Sequence, residues 1–382
     1  MLEVIFWLSV ISIFYTYIVY PVLIWIIAAL FPWRQREGTI YSLPKVSLLF
    51  SAYNEGKIIE EKVINCLSLD YPRESLEVII GSDGSTDNTE SIVNKFSGQG
   101  IILYRSKQRM GKVNVLNVLK RMASGDILVL CDANSIFDPQ ALKELVKGFS
   151  DKRVGCVCGK LSLRDNKFAA GGELEGVYWR YESFIKEQEG RLGVLLGANG
   201  GIYAVRKELF YDLAPNTIVE DFVLPLKILQ GGHRVLYEPK ALASEESSKY
   251  IEEEKTRKIR IGAGDYQALF MTLPMLNIFK GLSSFVYWSH KVIRWFAPFL
   301  LLVAFIANCF LVSRAESFAY LLVLQLIFYL SSWAGWYLNR RGWPIKVFLL
   351  SYYFVAMHIS LLQGFINFIS GRQKVTWKRV ER

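Results

Sequence analysis

Two short acidic segments, far apart in the chain, contain the residues best suited to catalysis. Asp132-Ala133-Asn134 follows a short apolar run, and Glu220-Asp221 precedes an apolar helical pattern. A carboxylate at the end of a buried strand can hold Mg²⁺ or Mn²⁺ on a diphosphate, because these ions prefer hard oxygen ligands. A second carboxylate on another element can take a proton from an attacking hydroxyl. The two segments therefore predict metal-dependent transfer from a diphosphate to a hydroxyl group.

The elements that would position these residues follow a strand–helix alternation, which predicts a parallel α/β sheet. The brief apolar runs that indicate buried strands are Val46–Phe50, Val78–Gly81, Ile101–Tyr104 and Ile127–Cys131. The helical patterns between them are Glu55–Leu69, Asp87–Phe96 and Lys112–Met122. Ligands bind beyond the carboxyl ends of such strands, where the chain places its polar segments. No G-x-G-x-x-G motif follows the first strand and there is no P-loop, so a metal is expected to hold the phosphates.

Composition shows that the apolar residues are segregated along the chain. Of 382 residues, 52% are hydrophobic and yet 21% are charged, a mixture that fits neither an average soluble domain nor a pure membrane bundle. The net charge of +10 suits anionic lipid headgroups and a phosphorylated substrate. No nucleic-acid-binding motif is present, so nucleic acid is not expected as a partner.

Five cysteines are present, and the pattern favours ordinary buried thiols over a metal site. Only Cys156 and Cys158 are close together, and this C-x-C pair has no second pair to complete a zinc site. We expect small buried side chains in a reducing compartment.

The N-terminal stretch 4–31 carries no charge and is long enough to span a bilayer. Arg34 and Arg36 follow it, and the positive-inside rule places them in the cytoplasm. The N-terminal segment, 1–33, is therefore predicted to be a transmembrane helix in the plasma (inner) membrane. The domain that follows it, 45–250, is predicted to be cytosolic.

Further membrane helices, about three, are predicted in segment 290–371, near 292–313, 317–338 and 345–369. Three spans would place the basic tail, 372–382, outside, against the positive-inside rule, and the sequence leaves this conflict open. Segment 251–289 is predicted to form amphipathic helices in the membrane interface. A buried helix of the catalytic domain is an equal alternative for its apolar stretch Tyr266–Trp288.

The ordered motifs resemble those of family 2 glycosyltransferases with the GT-A fold, in particular the branch of hyaluronan, chitin and cellulose synthases. The segments that carry this resemblance are Ala52–Glu55, Ser82–Asp87, Gly111-Lys112, Asp132–Asn134, Gly197–Gly201 and Glu220-Asp221. The resemblance implies an α/β GT-A domain inserted between transmembrane α-helices. It also implies an inverting enzyme that moves a hexosyl or N-acetylhexosaminyl group from a UDP-sugar to a glycan or lipid-linked acceptor.

The resemblance also implies a role for each matching residue. The implied donor-binding residues are Ala52, Tyr53, Glu55, Asp83, Lys112, Asp132, Arg257 and Arg260. Asp83 would contact uracil or ribose, and Asp132 with Asn134 would hold Mg²⁺ or Mn²⁺. Asn134 replaces the second aspartate of a D-x-D motif, so whether it ligates the metal is left open.

On the acceptor side, the resemblance implies that Asp221 is the catalytic base and that Glu220 is a neighbouring catalytic and acceptor-binding residue. Gly197, Asn199 and Gly200 would line the acceptor site. Glycines there let the backbone approach a sugar closely.

One departure from the family pattern bears on processivity. The Q-x-x-R-W motif of the processive synthases is matched here by Arg257-Lys258-Ile259-Arg260-Ile261. Arg260 can clamp diphosphate, but Ile261 cannot stack on a sugar ring as tryptophan does. Trp179 and Tyr266 are candidate substitutes, although packing is the simpler role for both.

The sequence leaves two alternative functions open. A non-catalytic nucleotide-sugar sensor or scaffold would also bind the donor, and a non-processive lipid-linked glycan transferase would use the same centre. The sequence leaves open the sugar, the linkage, the acceptor and whether chains form homo-oligomers.

Overall fold

The computed structural model describes residues 1–35, 43–164, 172–246, 251–343 and 345–373. Within these residues the strands are β1 (Val46–Ala52), β2 (Leu76–Ser82), β3 (Ile101–Arg105), β4 (Ile127–Leu130), β5 (Ile136–Phe137), β6 (Val154–Arg164), β7 (Tyr203–Arg206) and β8 (Arg234–Glu246). The helices up to the last strand are α1 (Leu2–Leu30), α2 (Ile59–Leu67), α3 (Thr89–Asn94), α4 (Lys112–Met122), α5 (Ala141–Lys147), α6 (Gly172–Arg191) and α7 (Glu220–Gln230). Those after it are α8 (Ile251–Met271), α9 (Leu282–Leu311), α10 (Glu316–Arg340) and α11 (Lys346–Ile369).

The strands form one mixed sheet in the order β3-β2-β1-β4-β7-β6-β8-β5. β3, β2, β1 and β4 are parallel, as the sequence predicts. β7 is antiparallel to β4, and β6 is antiparallel to β7. β8 then runs parallel to β6. The carboxyl ends of β1, β2 and β4 consequently share one edge of the sheet, where Asp83 and Asp132 follow their strands.

Alternating side chains on each strand feed two cores, one on each face of the sheet. Leu48 and Phe50 of β1 belong to one buried cluster, and Leu49 belongs to the other. The second cluster also contains Tyr20 and Ile24 of α1, both fully buried. The first membrane helix therefore shares a hydrophobic core with the catalytic domain.

Four helices in the described part of the chain are long and apolar enough to cross a membrane: α1, α9, α10 and α11. The chain is therefore an integral membrane protein with its α/β domain between the first and second of these helices. The second begins at Leu282, earlier than the predicted boundary at 290, because the helix continues through Ser289 and His290. Arg36 and residues 374–382 of the predicted basic tail lie outside the described residues.

Helix α8 joins the α/β domain to the membrane helices. It packs along α11 at a point where two glycines meet. A Cβ on Gly364 would lie 2.7 Å from the backbone nitrogen of Ala263 and 2.8 Å from the carbonyl carbon of Gly262. Since real side chains do not tolerate such distances, glycine at 364 is what permits this close contact.

Candidate active site

The loops after β1 and β2 are joined by hydrogen bonds into one rim of the site. Asn54 has a positive φ of 54°, which a residue of its type tolerates in a turn. Its backbone N–H donates to Ser85 Oγ, and its Oδ1 accepts from the Thr86 N–H at 2.7 Å. The Gly56 N–H donates to Asp87 Oδ2 at 3.0 Å. The two predicted donor segments therefore form a single structural unit.

The carboxylate of Asp83 is buried and organises the loop that precedes α4. Asp83 Oδ1 accepts from the N–H of Met110 at 2.6 Å, and both carboxylate oxygens accept from the N–H of Gly111. Burial raises the pKa of Asp83, although these two amides act in the opposite direction. Asp83 thus holds Gly111-Lys112 against the end of β2, and its predicted contact with the nucleotide base stays a prediction.

Arg109 in the same loop makes a contact with Tyr53 that was not predicted from the sequence. Its guanidinium carbon lies 3.8 Å from the ring centroid of Tyr53, so the two side chains stack. Ala52, just before Tyr53, is buried and accepts the Asp83 N–H with its carbonyl. The donor residues Ala52, Tyr53 and Asp83 are thus assembled at one edge. Glu55 follows in the loop that begins with Asn54.

Lys112 joins the two acidic segments. Its Nζ lies 2.6 Å from Asp132 Oδ1 and 2.5 Å from Glu220 Oε1, and its side chain is 14% exposed. Burial lowers the pKa of Lys112, but the negative charges of Asp132 and Glu220 outweigh it and hold this pKa above its ordinary value. Lys112, the predicted donor lysine, therefore bridges Asp132, the predicted metal ligand, and Glu220, the neighbour of the predicted base.

Asn134 contacts a second carboxylate that sequence reasoning missed. Its Nδ2 donates to Glu245 Oε2 at 3.2 Å, and Glu245 is buried near the end of β8. Both residues line a small cavity together with Ala133. Glu245 lies more than a hundred residues from Asn134 in the sequence, and the pairing of β8 with β5, in which Ser244 lies opposite Ile136, brings it to this edge.

Asp221 lies in the first turn of α7 and faces the same space as Asp132. A Cβ on Gly200 would lie 2.8 Å from Asp221 Oδ2 and 3.6 Å from Asp132 Oδ2. Burial, with the negative charges of Glu220 and Asp132, raises the pKa of Asp221 to about 6, against the opposing charges of Lys112 and Lys186. A carboxyl with this pKa is a competent base at neutral pH. The two predicted acids therefore converge on one space.

The glycine-rich segment 197–201 wraps around the start of α7. The Ala198 N–H donates to the Asp221 carbonyl at 2.8 Å. Gly197 has a φ of +78°, and a Cβ there would lie 2.4 Å from the Phe222 ring. A side chain at Gly200 would occupy the space beside the carboxylates of Asp132 and Asp221, so glycine keeps this space open.

Asn199 is buried and holds this loop from behind. Its Nδ2 donates to the Gly159 carbonyl at 2.8 Å, and its Oδ1 accepts from Lys186 Nζ at 2.5 Å. In this structure the side-chain amide is engaged within the protein, and its predicted contact with the acceptor stays a prediction. Lys186 of α6 was not predicted, and it places a positive charge near Asp221.

Helix α8 carries the two predicted arginines. Arg260 Nη1 donates to the Ile218 carbonyl at 3.2 Å, two residues before Glu220. Arg257 lies one turn earlier and is half-buried. Tyr266 is 1% exposed and its hydroxyl donates to the Trp295 carbonyl, so it packs in the core and offers no face to a sugar. Trp179 of α6 is half-buried.

Two further buried groups near the site had no recognisable sequence signal. Tyr203 of β7 has a buried hydroxyl with no hydrogen-bond partner among the described residues, and it lies near the negative charges of Glu220 and Asp221. Burial, with a contribution from the charge of Asp221, raises the pKa of Asp265 on α8 to about 7. An isolated tyrosine or aspartate is too common in a sequence to be singled out.

The residues at this edge suit a divalent cation bound together with a diphosphate. Asp132 contributes a carboxylate and Asn134 an amide oxygen, both hard ligands. Within the described ranges no group of three or more His, Cys, Asp or Glu side chains could hold a metal alone. A cation that bridges two phosphates keeps water and phosphate ligands, so one or two protein ligands suffice.

Comparison with known proteins agrees with this geometry. Residues 47–213 match the model of the family described as Glycosyl transferase family 2. Poly-beta-1,6-N-acetyl-D-glucosamine synthase of Staphylococcus aureus (strain COL) is 30% identical over 243 residues, which cover 58% of this chain and 58% of the relative. The Staphylococcus epidermidis enzyme of the same name is 24% identical over 316 residues, which cover 81% of this chain and 75% of the relative. The chain thus spans less than two thirds of the S. aureus relative.

A solved structure has a similar fold over nearly the whole chain. The mannosyltransferase PcManGT from Pyrobaculum calidifontis, in complex with GDP-Man and Mn²⁺, superposes with a TM-score of 0.75 at 21% identity. The match covers 97% of this chain and 100% of PcManGT. The predicted GT-A fold between membrane helices is confirmed, and residues 47–213 of the α/β domain match the glycosyltransferase family 2 model.

Proposed function

We propose that this protein is an inverting glycosyltransferase that moves an N-acetylhexosaminyl group from a UDP-sugar onto a growing extracellular polysaccharide. The observation that supports the proposal is that the carboxylates of Asp221 and Asp132 both reach the space beside Gly200. The names of the staphylococcal relatives favour N-acetylglucosamine as the sugar.

Asp221 is the proposed base. It accepts the proton of the acceptor hydroxyl while that oxygen forms a bond to the anomeric carbon of the donor sugar. The bond from that carbon to the diphosphate oxygen breaks on the opposite face, and UDP leaves with the bonding electrons. The raised pKa of Asp221 suits proton acceptance near neutral pH.

The donor diphosphate is proposed to bind on the other side of the space, at Lys112 and Asp132. Asp132 and Asn134 would hold Mg²⁺ or Mn²⁺. When bound, such an ion neutralises the charge that accumulates on the leaving diphosphate. With Asp132 holding the ion, Lys112 would keep Glu220 as its partner, and its ammonium group would lie beside the diphosphate. Arg260 and Arg257 on α8 are proposed to close over the phosphates from the other end.

The acceptor is proposed to enter along Gly197–Gly201, from the side of α7 that faces the membrane helices. A polysaccharide chain or a lipid-linked glycan would present its hydroxyl to Asp221 there. We place the catalytic domain in the cytosol and the membrane helices in the plasma membrane, because Arg34 follows the first span and UDP-sugars are cytosolic.

A donor screen tests the proposal. The purified protein in lipid nanodiscs receives UDP-N-acetylglucosamine, UDP-glucose or GDP-mannose, with Mg²⁺ or Mn²⁺, and nucleotide release and product mass are measured. We expect UDP release from the N-acetylated donor and products of several added sugars. Single additions would indicate a lipid-linked glycan transferase. Donor binding without nucleotide release from any donor would contradict the enzyme and favour a sensor.

A further inference from the structure

A second site of charged residues lies away from the catalytic centre, and we infer that it binds the phosphate headgroup of an anionic membrane lipid. The site, here called the basic pocket, is a cavity of about 640 Å³. Its cationic and imidazole lining residues are Arg34, Arg153, Arg234, Lys280 and His233. Its apolar lining residues include Phe31, Trp33, Leu192, Val194, Leu229 and Leu282. Cations beside apolar side chains match a lipid, which joins a charged headgroup to hydrocarbon.

The charge in the basic pocket is only partly balanced by the protein. Arg153 pairs with Asp151, with Nη2 2.6 Å from Oδ2, and its guanidinium stacks 4.9 Å from the ring centroid of Trp33. Among the described residues, no carboxylate pairs with Arg34, Arg234 or Lys280, and no Asp or Glu lines the cavity. Guanidinium groups bind phosphate oxygens through paired N–H donors, so a phosphate fits this surplus of charge.

The basic pocket lies where two membrane helices reach the same side of the bilayer. Phe31 follows the last residue of α1, and Leu282 is the first residue of α9. The catalytic domain connects these two ends, so both are on its side of the membrane. Phe31 is 71% exposed and Phe279, beside Lys280, is 91% exposed. Exposed aromatic side chains next to basic ones are typical of the headgroup level of a bilayer.

The register of the sheet separates the basic pocket from the catalytic centre. Cys158 of β6 lies level with Tyr203, which pairs with Leu130 just before the metal-binding segment. Arg153 precedes the opposite end of β6, and the Arg234 N–H donates to its carbonyl at 2.8 Å. The pocket is therefore at the edge of the sheet away from Asp132. A phosphate there belongs neither to the donor nor to the acceptor at Asp221.

A lipid in the basic pocket would contact three parts of the molecule at once. Arg34 follows the first span, Arg153 precedes β6, Arg234 is the first residue of β8, and Lys280 precedes the second span. A phosphodiester bound by these side chains would hold the α/β domain at a fixed orientation on the bilayer. Each Lys or Arg near an anionic lipid surface strengthens binding, so the loss of two of them should be measurable.

Retention of lipid by the full-length protein tests this inference. The protein in a neutral detergent is titrated with phosphatidylglycerol, and bound lipid is measured by native mass spectrometry. The pocket variant Arg34→Gln/Arg234→Gln is compared with Arg340→Gln/Arg341→Gln, two arginines at the end of another span. We expect the pocket variant to bind phosphatidylglycerol about tenfold or more weakly, and the control variant to match the wild type.

Further measurements identify the source of the phosphate, and a second variant controls for misfolding of the first. Phosphatidylcholine, which has a phosphate but no net charge, is expected to bind weakly and equally to all variants. Ser283→Glu keeps the cations and adds a negative charge at the pocket, and we expect it to weaken phosphatidylglycerol binding as well. Equal binding by the wild type and both pocket variants would overturn the inference. Displacement of the lipid by inorganic phosphate at the same concentration would also overturn it, since the ligand would then be free phosphate.

Discussion

At the scale of residues, the site depends on one cation placed among three carboxylates. Lys112 pairs with Asp132 and Glu220. Burial, together with the negative charges of Glu220 and Asp132, keeps the pKa of Asp221 raised. The family motifs in the sequence predicted each of these residues. The bridging role of Lys112 was not predicted, because it follows from distances between elements that are about ninety residues apart in the chain.

Replacing Asp221 by asparagine should separate chemistry from donor binding. Asp221→Asn keeps the shape of the side chain and removes the proton acceptor, so we expect transfer to fall by about 10³-fold or more. Donor affinity, measured by calorimetry with UDP, should change by less than about threefold. Comparable losses of binding and turnover would instead make Asp221 a donor ligand.

The raised pKa of Asp221 predicts the pH dependence of the reaction. The base must be ionised to accept a proton, so kcat/KM should fall as the pH drops through about 6. Nucleotide release is measured from about pH 4.5 to about pH 8 at saturating metal, because the acid limb of kcat/KM reports the free enzyme. An acid limb near the ordinary pKa of aspartate would show that the neighbours do not raise it.

Removing the bridging ammonium should change metal binding in the absence of donor. In Lys112→Met the carboxylates of Asp132 and Glu220 lose their cation, and we expect Mn²⁺ to bind the free protein about tenfold more tightly. Electron paramagnetic resonance of free Mn²⁺ measures this directly. Lys120→Met, which removes a surface ion pair with Asp212, is the matched control and should leave Mn²⁺ affinity unchanged. Weaker Mn²⁺ binding in Lys112→Met would refute the proposed competition.

At the scale of elements, a close backbone contact fixes the position of α8 against α11. α8 carries Arg257 and Arg260, the two arginines proposed to bind the donor, and its own position depends on α11. The contact between Gly364 and the backbone at Gly262 and Ala263 leaves no room for a side chain. The helical pattern of α11 was visible in the sequence. The identity of its partner was not, because many faces of an apolar helix look alike.

A methyl group at this contact should therefore be costly. Gly364→Ala pushes α11 away from α8, and we expect a loss of about 1–3 kcal/mol, which is typical of overpacking. Gly176→Ala in α6 is the control, because nothing but a distant Arg180 nitrogen lies near its Cβ position. It should be neutral or stabilising by up to about 1 kcal/mol from helix propensity. Thermal unfolding in detergent compares the two, and equal melting temperatures would contradict the packing argument.

At the scale of the whole molecule, the catalytic domain and the first membrane helix share one core. Tyr20 of α1 donates to Glu189 of α6 at 2.8 Å, and Glu189 also contacts His290 of α9 at 2.5 Å. Arg294 of α9 pairs with Glu182 of α6 in the same buried region. Breaking a buried pair of this kind costs about 3–5 kcal/mol. The orientation of the domain on the membrane is thus built into the fold.

This arrangement predicts which parts of the chain face each side of the membrane. With Cys309 replaced by serine, Ser313→Cys in the turn between α9 and α10 should react with a membrane-impermeant maleimide on intact cells. Lys57→Cys in the loop after β1 should react only after the membrane is opened. The other four cysteines are buried and provide a low background. Labelling of Lys57→Cys on intact cells would place the catalytic domain outside.

The sequence alone determined the order of the strands, membrane helices and functional motifs along the chain. Short apolar runs rich in β-branched residues, set between helical patterns, favour buried strands, so β1 to β4 and the polar segments after them were predictable. The apolar stretches were long enough to predict membrane helices. The family and the GT-A fold were predicted from motifs in a fixed order, and both are confirmed.

The tertiary structure alone decided which side chains meet. Glu245 reaches Asn134 through the pairing of β8 with β5, and the four basic residues of the pocket come from positions that are scattered over about 250 residues. Spacing along a chain encodes contacts within one element, because the periods of helices and strands are fixed. Contacts between elements depend on strand order and helix packing, and no local pattern in the sequence records these.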